Sequence, residues 1–199
     1  MDTIRYVLAV VVWATIPPGF LYWYVIHPFA GYWRKVGPTR THLVVAPFAI
    51  LVMGMLIRWR GPVDGSDLGE NWLVFYCGFV LWIAAFLMER RIRKHLDLKT
   101  LAGIPELRAS DAAEPQRLLD QGIYARMRHP RYVSVFIATL GWSLMSNHGT
   151  SYGVTAALVP MILVLVRMEE RELVERFGDA YRAYQARVPA LVPRFGREG

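Results

Sequence analysis

The chain has 199 residues, of which 54% are hydrophobic, 13% aromatic and 20% charged, and its mean hydropathy is +0.26. This composition excludes a disordered chain and is too apolar for an ordinary soluble domain. The single cysteine, Cys77, excludes an intramolecular disulfide and any metal site built from several cysteines.

Apolar runs predict five membrane helices, near Tyr6–Ile26, Leu43–Ile57, Trp72–Met88, Tyr132–Met145 and Tyr152–Val166. The last two are short, so they either cross with help from flanking residues or form a tilted hairpin. Prolines inside the first, second and fifth runs predict kinks, and neighbouring helices can hydrogen-bond the carbonyl groups that these prolines leave free. The first run is expected to be a retained helix rather than a cleaved signal peptide. We therefore predict an all-α, polytopic membrane bundle.

The net charge of +7 comes from Lys and Arg residues that lie beside the apolar runs. This placement indicates a membrane surface rather than a nucleic acid as the partner. Residues 27–42 carry three Lys or Arg, residues 89–131 carry ten, and residues 167–199 carry seven, which leaves three for the other side. With five crossings, the positive-inside rule predicts an outside amino terminus and a cytoplasmic carboxyl terminus.

The polar residues are concentrated in the second half of the chain. We predict that residues 1–88 form three membrane helices and that residues 89–199 form a module with a cytoplasmic connector, two membrane helices and a carboxy-terminal helix. The connector and the tail are therefore expected to carry the chemistry.

The connector ends in a segment, residues 121–132, that is rich in Tyr, Arg and His. Pro130 suits the first turn of a helix, where free amides and the positive end of the dipole favour an anion. A ligand carboxylate or phosphate is one interpretation of this segment. The other is a membrane-interface anchor, because Tyr and Arg are common at headgroup depth.

The tail begins with acidic residues directly after an apolar helix, where basic ones are expected. Glu169 lies nearest the membrane and is our candidate for a site carboxylate, whereas Glu172 and Glu175 are expected on a solvated helical extension. Phe177 and Tyr181 share a helical face with Glu170, and they either wall a pocket or dock the helix on the membrane. Glycine-rich phosphate loops, HExxH and serine-elbow motifs are absent, and the five histidines lack ligand spacing, so no metal site is predicted.

Together these motifs resemble the isoprenylcysteine carboxyl methyltransferase family, membrane enzymes that use S-adenosylmethionine and are similar to phospholipid N-methyltransferases. The resemblance covers about the last 85 residues. The matching positions are Leu118, Leu119, Gly122, Tyr124, Arg128-His129-Pro130, Tyr132, Glu169-Glu170, Leu173, Phe177-Gly178, Tyr181, Tyr184 and Val188-Pro189.

The resemblance implies a helical bundle that closes its cytoplasmic face over the cofactor, while a lipophilic substrate enters from the bilayer. Carried over by position, S-adenosylmethionine would be held by Gln116, Arg117, Leu118, Leu119, Tyr124, His129, Pro130, Arg131, Tyr132 and Glu169. In these roles His129 and the helix amides would receive the methionine carboxylate, and Glu169 its ammonium or the ribose. Tyr124 and Tyr132 would pack on the adenine or the sulfonium.

The family default for the acceptor is the carboxylate of a prenylated cysteine, which needs a cation to orient it. Family members that act on carboxylates place an arginine about one turn before the glutamate pair, where this chain has Leu165. Arg167 or Arg187 is therefore expected to orient the acceptor. The runner-up acceptor is an amine lipid such as phosphatidylethanolamine, which would require Glu169 or Glu170 as a base. Two further alternatives are a membrane reductase that uses NADPH and a transport or accessory protein.

Overall fold

The computed structural model describes residues 1–94 and 118–193, and every regular element in these ranges is helical. The first half contains α1 (Asp2–Ile26), a 3₁₀ turn (His27–Phe29), α2 (Ala30–Val36), α3 (Pro38–Arg58), α4 (Gly61–Asp64) and α5 (Trp72–Arg93). The second half contains a 3₁₀ turn (Gly122–Ala125), α6 (Pro130–Ser146), α7 (Gly149–Phe177) and α8 (Asp179–Arg187). This architecture confirms the predicted all-α polytopic bundle.

Each of the five predicted apolar runs lies inside one helix. Within the described ranges, α1, α3, α5 and α7 are long and apolar enough to cross a membrane. Helix α6 has 17 residues, a length of about 26 Å at 1.5 Å per residue. Helix α7 is longer than the fifth run predicted, because it continues past the apolar residues for 29 residues in all. Its final turns therefore carry the acidic pair Glu169 and Glu170 beyond the apolar stretch.

The bundle core lies where α1 meets α6 and α7. Its buried residues are Phe20, Leu158, Ile162, Leu165 and Val166. Helices α5 and α6 approach most closely at Gly78 and Gly141, where a Cβ atom on Gly78 would lie 2.5 Å from the Gly141 carbonyl oxygen. A backbone contact this close requires glycine, so the pairing of α5 with α6 is specified by two residues.

A polar cluster holds together the end of the bundle where α6 finishes. The Arg5 side chain of α1 is buried, and its guanidinium donates to the Asp67 carboxylate and, over 3.2 Å, to the Ser146 carbonyl oxygen. His148 Nδ1 lies 2.7 Å from the same carbonyl oxygen. These bonds attach the α6–α7 turn to α1, so the start of α6 and the end of α7 lie together at the opposite end.

At that opposite end the chain reverses at Gly178, between α7 and α8. Gly178 has φ +55° and ψ −130°, a conformation that glycine adopts at little cost. After the reversal, Tyr181 and Tyr184 of α8 and Val188, which follows it, are buried against Leu118, Leu173, Val174 and Phe177. Tyr181 is therefore buried and Phe177 partly buried where α8 packs back on the end of α7.

Candidate active site

The start of α6 is held by the segment that follows α8. The Arg128 amide donates to the Pro189 carbonyl oxygen over 2.9 Å, and the His129 amide donates to that of Ala190 over 3.0 Å. Pro130 occupies the first turn of α6, as its fixed φ and missing N–H predict. These two backbone bonds place the His129 side chain beside the end of α7.

His129 lies between the two carboxylates of the acidic pair. Its Nδ1 is 3.3 Å from Glu169 Oε2, and its Nε2 is 3.1 Å from Glu170 Oε1. The imidazole side chain is 3% exposed, whereas the two carboxylate side chains are 27% and 19% exposed. The structure therefore brings His129 at the start of α6 together with Glu169 and Glu170, which lie 40 and 41 positions later on α7.

This arrangement holds the imidazole in its charged form. Burial by itself would lower the pKa of His129, but the Glu169 charge and the hydrogen bonds to Glu169 and Glu170 outweigh it and raise the pKa to about 9. The raised pKa favours the imidazolium at neutral pH, and its two ring nitrogens face the Glu169 and Glu170 carboxylates.

Arg128 joins the acidic pair to α8. Its Nε and Nη2 contact Glu170 Oε1 at 2.7 and 2.6 Å. Its Nη1 donates to the Gln185 carbonyl oxygen over 3.0 Å and to the Val188 carbonyl oxygen. The Gln185 side chain completes the set, since its amide donates to Glu170 Oε2 over 3.2 Å. Glu170 thus accepts from Arg128, His129 and Gln185, so it links the start of α6 to α8.

Two tyrosines of α8 lie next to this cluster, and both are buried. The Tyr184 hydroxyl donates to the Tyr124 carbonyl oxygen over 2.6 Å, which fixes the 3₁₀ turn before α6. The Tyr181 hydroxyl has no hydrogen-bond partner within residues 1–94 and 118–193. Burial, together with the nearby Glu170 and Glu169 charges, raises the pKa of Tyr181, so it stays a neutral hydroxyl that can donate.

The remaining predicted cofactor residues surround the start of α6. Tyr124 is buried, and the Tyr132 ring centroid is 5.9 Å from that of His129. The Arg131 guanidinium lies over the ring of Trp23, 5.1 Å from its centroid. Leu118 packs against the buried face of α8, and Leu119 is exposed. Gln116 and Arg117 lie outside the described residues.

The arginines predicted to orient an acceptor are both exposed. Arg167 lines an open groove of about 390 Å³ together with Glu170, Arg171, Val174, Glu175 and Gln185. Arg187 lies outside that lining, and its Nε donates to the Ala183 carbonyl oxygen of its own helix over 3.3 Å. Leu165 is completely buried in the core. Of the two candidates, Arg167 is the one whose groove also contains Glu170.

Sequence reasoning missed three residues of this site. Arg128 belongs to the motif, but no signal showed that it would bind Glu170 rather than a ligand. Gln185 and Trp23 carry no motif at all, and they reach the site only because α8 folds back and α1 packs against α6 and α7.

Comparisons with known proteins identify the family to which the chain is similar. The family model described as Phospholipid methyltransferase matches residues 73–180. The Methanethiol S-methyltransferase of Pseudomonas deceptionensis is 30% identical over 186 residues, which cover 85% of this chain and 66% of that protein. The corresponding enzyme of Pseudomonas sp. (strain GM41(2012)) is 35% identical over 184 residues, covering 83% of this chain and 65% of its own.

The Protein-S-isoprenylcysteine O-methyltransferase of Schizosaccharomyces pombe is 36% identical over a shorter stretch of 86 residues, or 43% of this chain and 36% of that protein. The chain therefore spans about two thirds or less of the length of these relatives. No solved structure matches it. The matches confirm the resemblance to the isoprenylcysteine methyltransferases that the motifs predicted.

Proposed function

Because the chain belongs to the phospholipid methyltransferase family, we propose that it transfers a methyl group from S-adenosylmethionine to a lipophilic acceptor. The observation that carries this proposal is the buried His129 imidazolium between Glu169 and Glu170 at the start of α6. Charged groups of both signs at one site suit a ligand that itself carries a carboxylate and an ammonium.

The residues present fit such a cofactor. The first turn of α6 would receive its carboxylate, and Glu169 would accept from its ammonium or ribose. His129, whose two ring nitrogens face Glu169 and Glu170, would hold these carboxylates in position for the cofactor. Tyr124 and Tyr132 would pack against its rings, and Gln116 and Arg117 remain predicted contacts. The Tyr181 hydroxyl, buried without a partner in the described part of the chain, has a donor to offer. When bound, the cofactor supplies an activated methyl group on a sulfonium.

A thiol is the acceptor that we favour. The relatives that match 83–85% of the chain are thiol methyltransferases, whereas the carboxylate methyltransferases match 42–43% of it. In this reaction the thiol would lose its proton to solvent, and its sulfur would take the methyl group as the bond between the methyl carbon and the sulfonium sulfur breaks. The protein then mainly aligns the two sulfurs and excludes water.

The carboxylate of an isoprenylcysteine is the second candidate. It is already ionised and needs only an orienting cation, which the position of Arg167 beside Glu170 would supply. An amine lipid is a weaker candidate because it needs a base, and Glu170 already accepts from three donors. The roles of Arg167, Glu170 and Arg187 in catalysis stay predictions.

The protein is an integral membrane protein, and we propose that its amino terminus lies outside and its site faces the cytoplasm. The distribution of Lys and Arg supports this orientation. We also propose that the chain divides into residues 1–88 and residues 89–199. The two parts are in contact, because Arg131 of the second lies over the ring of Trp23 of the first.

The first test is calorimetric titration of the purified protein with S-adenosylhomocysteine, with NADPH as the parallel ligand. Micromolar binding of the first alone supports a methyltransferase, binding of NADPH alone points to a reductase, and binding of neither favours a transport or accessory role. His129→Ala and Glu169→Ala should each weaken S-adenosylhomocysteine binding, and unchanged affinity in both would remove this site. Asp179→Ala, which changes a fully exposed carboxylate side chain, is the control.

The acceptor is tested with methyl-labelled S-adenosylmethionine and three substrates: methanethiol, N-acetyl-S-farnesylcysteine and phosphatidylethanolamine. Methylation of the thiol supports our first choice, and exclusive methylation of either other substrate replaces it. Arg167→Gln should lower the rate with the carboxylate only, and an unaltered rate there would show that another residue orients that substrate.

A further inference from the structure

The open groove that Arg167 lines lies where α7 leaves its apolar stretch and α8 folds back on it. Its volume of about 390 Å³ is within the range of roughly 300–1,000 Å³ that small-molecule sites usually have. Arg167 follows directly on Val166, the last residue of the apolar run. The groove therefore begins at the depth of the lipid headgroups.

Two arginines of this groove offer charge to a ligand. Arg167 and Arg171 are exposed and lie one helical turn apart on α7. Within residues 1–94 and 118–193, neither guanidinium forms a hydrogen bond or an ion pair. Like charges at this spacing repel one another and destabilise a helix. An anion that contacts both guanidiniums would remove this repulsion.

The carboxylates of the lining do not neutralise these arginines. Glu170 already accepts from three donors of its own cluster. Glu175 lies four residues after Arg171 and is exposed, and in the described part of the chain the two side chains are not paired. The two guanidiniums therefore suit a phosphate group, and the Glu175 carboxylate suits a hydroxyl that donates to it.

The face of α7 that carries the two arginines continues into the bilayer as an apolar surface. Pro160, Leu163 and Val164 precede Arg167 at helical spacing on the same side. Leu163 and Val164 are 44% and 43% exposed, so this surface is open on the outside of the bundle. A ligand that has a phosphate at the arginines and hydrocarbon beside this surface is a membrane phospholipid. A free phosphate would match the arginines alone.

We infer that the groove binds the headgroup of an anionic phospholipid that carries hydroxyl groups, the chemistry of phosphatidylglycerol. The phosphate contacts Arg167 and Arg171, and a headgroup hydroxyl donates to Glu175. Basic residues at a membrane surface bind anionic headgroups in this way. The inference goes beyond the proposed function, because this lipid is a bound component of the membrane and not a methyl acceptor. By neutralising both arginines, it stabilises the last turns of α7, which carry Glu169 and Glu170.

The experiment is a lipid titration of the purified full chain in detergent, followed by native mass spectrometry. Phosphatidylglycerol is the probe, phosphatidylcholine with the same acyl chains is its matched control, and inorganic phosphate tests the soluble source. We expect phosphatidylglycerol to be retained several-fold more strongly than phosphatidylcholine, and inorganic phosphate at the same concentration not to bind. Binding of inorganic phosphate as strong as that of the lipid would overturn the lipid assignment.

Variants of Arg171 locate the binding. Arg171→Gln should lower the apparent affinity for phosphatidylglycerol about fivefold, the factor that one basic residue contributes at an anionic membrane surface. Arg171→Lys keeps the charge without the forked geometry, so it should recover part of this loss. No catalytic role is assigned to Arg171, which separates these variants from the acceptor role proposed for Arg167. Arg58→Gln is the matched control, because Arg58 is an exposed arginine in the last turn of the apolar helix α3 and does not line the groove.

The headgroup contact is tested with phosphatidylmethanol, which has the same charge but no headgroup hydroxyl. It should bind more weakly than phosphatidylglycerol to the unaltered protein and equally well to Glu175→Ala. Equal binding of these two lipids to the unaltered protein would overturn the hydroxyl-bearing headgroup.

Equal retention of phosphatidylglycerol and phosphatidylcholine, or the same affinity for phosphatidylglycerol in Arg171→Gln and Arg58→Gln, would overturn the inference as a whole. The titration contains no S-adenosylmethionine or S-adenosylhomocysteine. Its result therefore stands apart from the calorimetric test of the methyltransferase proposal, and either proposal can fail without the other.

Discussion

Removal of the Arg128 side chain should loosen α8 and the candidate site together. Arg128 is 10% exposed and Glu170 is 19% exposed, and the guanidinium also donates to two carbonyl oxygens near the end of α8. Breaking a buried charge pair by removing one partner costs roughly 3–5 kcal/mol. Because Glu170 keeps some access to solvent, we expect the lower end, about 3 kcal/mol, for Arg128→Ala.

In a chain of this size, about 3 kcal/mol corresponds to a decrease in Tm of about 6 to 12 °C. The assay is thermal unfolding in detergent, followed by limited proteolysis to detect exposure of residues 179–187. Arg182→Ala is the matched control, because Arg182 and its partner Asp179 are a surface pair at 3.9 Å with exposed side chains. A Tm for Arg128→Ala within about 1 °C of the unaltered protein would show that the contacts of Arg128 with Glu170 and the end of α8 do not stabilise the fold.

Three further outcomes are expected. The pKa of His129, about 9, lies above its ordinary value, so protonated His129 stabilises the folded protein by about 3 kcal/mol at most. This contribution is complete below pH 6.5 and is lost as the pH rises through 9. Thermal unfolding measured against pH should show the loss in the unaltered protein but not in His129→Asn. Gly78→Leu should prevent the packing of α5 on α6 and lower the yield of folded protein, whereas Gly153→Leu, with open space around it, should not; equal yields would contradict the close contact. Tyr181→Phe should leave Tm unchanged but weaken S-adenosylhomocysteine binding severalfold, and unaltered affinity would show that the hydroxyl does not serve the cofactor.

The elements of the fold could be predicted because hydropathy is a local signal. Each apolar run lies within one helix, and Pro130 begins α6 as its chemistry predicts. The length of α7 could not be read from hydropathy, because its last turns are polar. Those turns carry the glutamates that pair with His129 and Arg128, contacts that a scan for apolar runs does not detect.

The candidate site, too, could be predicted from the sequence only in part. His129, Glu169 and Tyr132 were predicted from the motif, and the structure brings His129 against both neighbours. The pairing of Arg128 with Glu170 was not predicted, because a motif gives the order of residues but not which of them bind one another.

Composition and apolar runs were enough to predict a helical membrane protein, and the match of residues 73–180 gives the phospholipid methyltransferase family, because both depend on the linear chain. Which side chains meet could be seen only in the folded protein. Gln185 reaches Glu170 because Gly178 reverses the chain, and Trp23 reaches Arg131 from more than 100 positions away. Such contacts depend on how helices pack, and packing is a property of surfaces that the linear order of residues does not record.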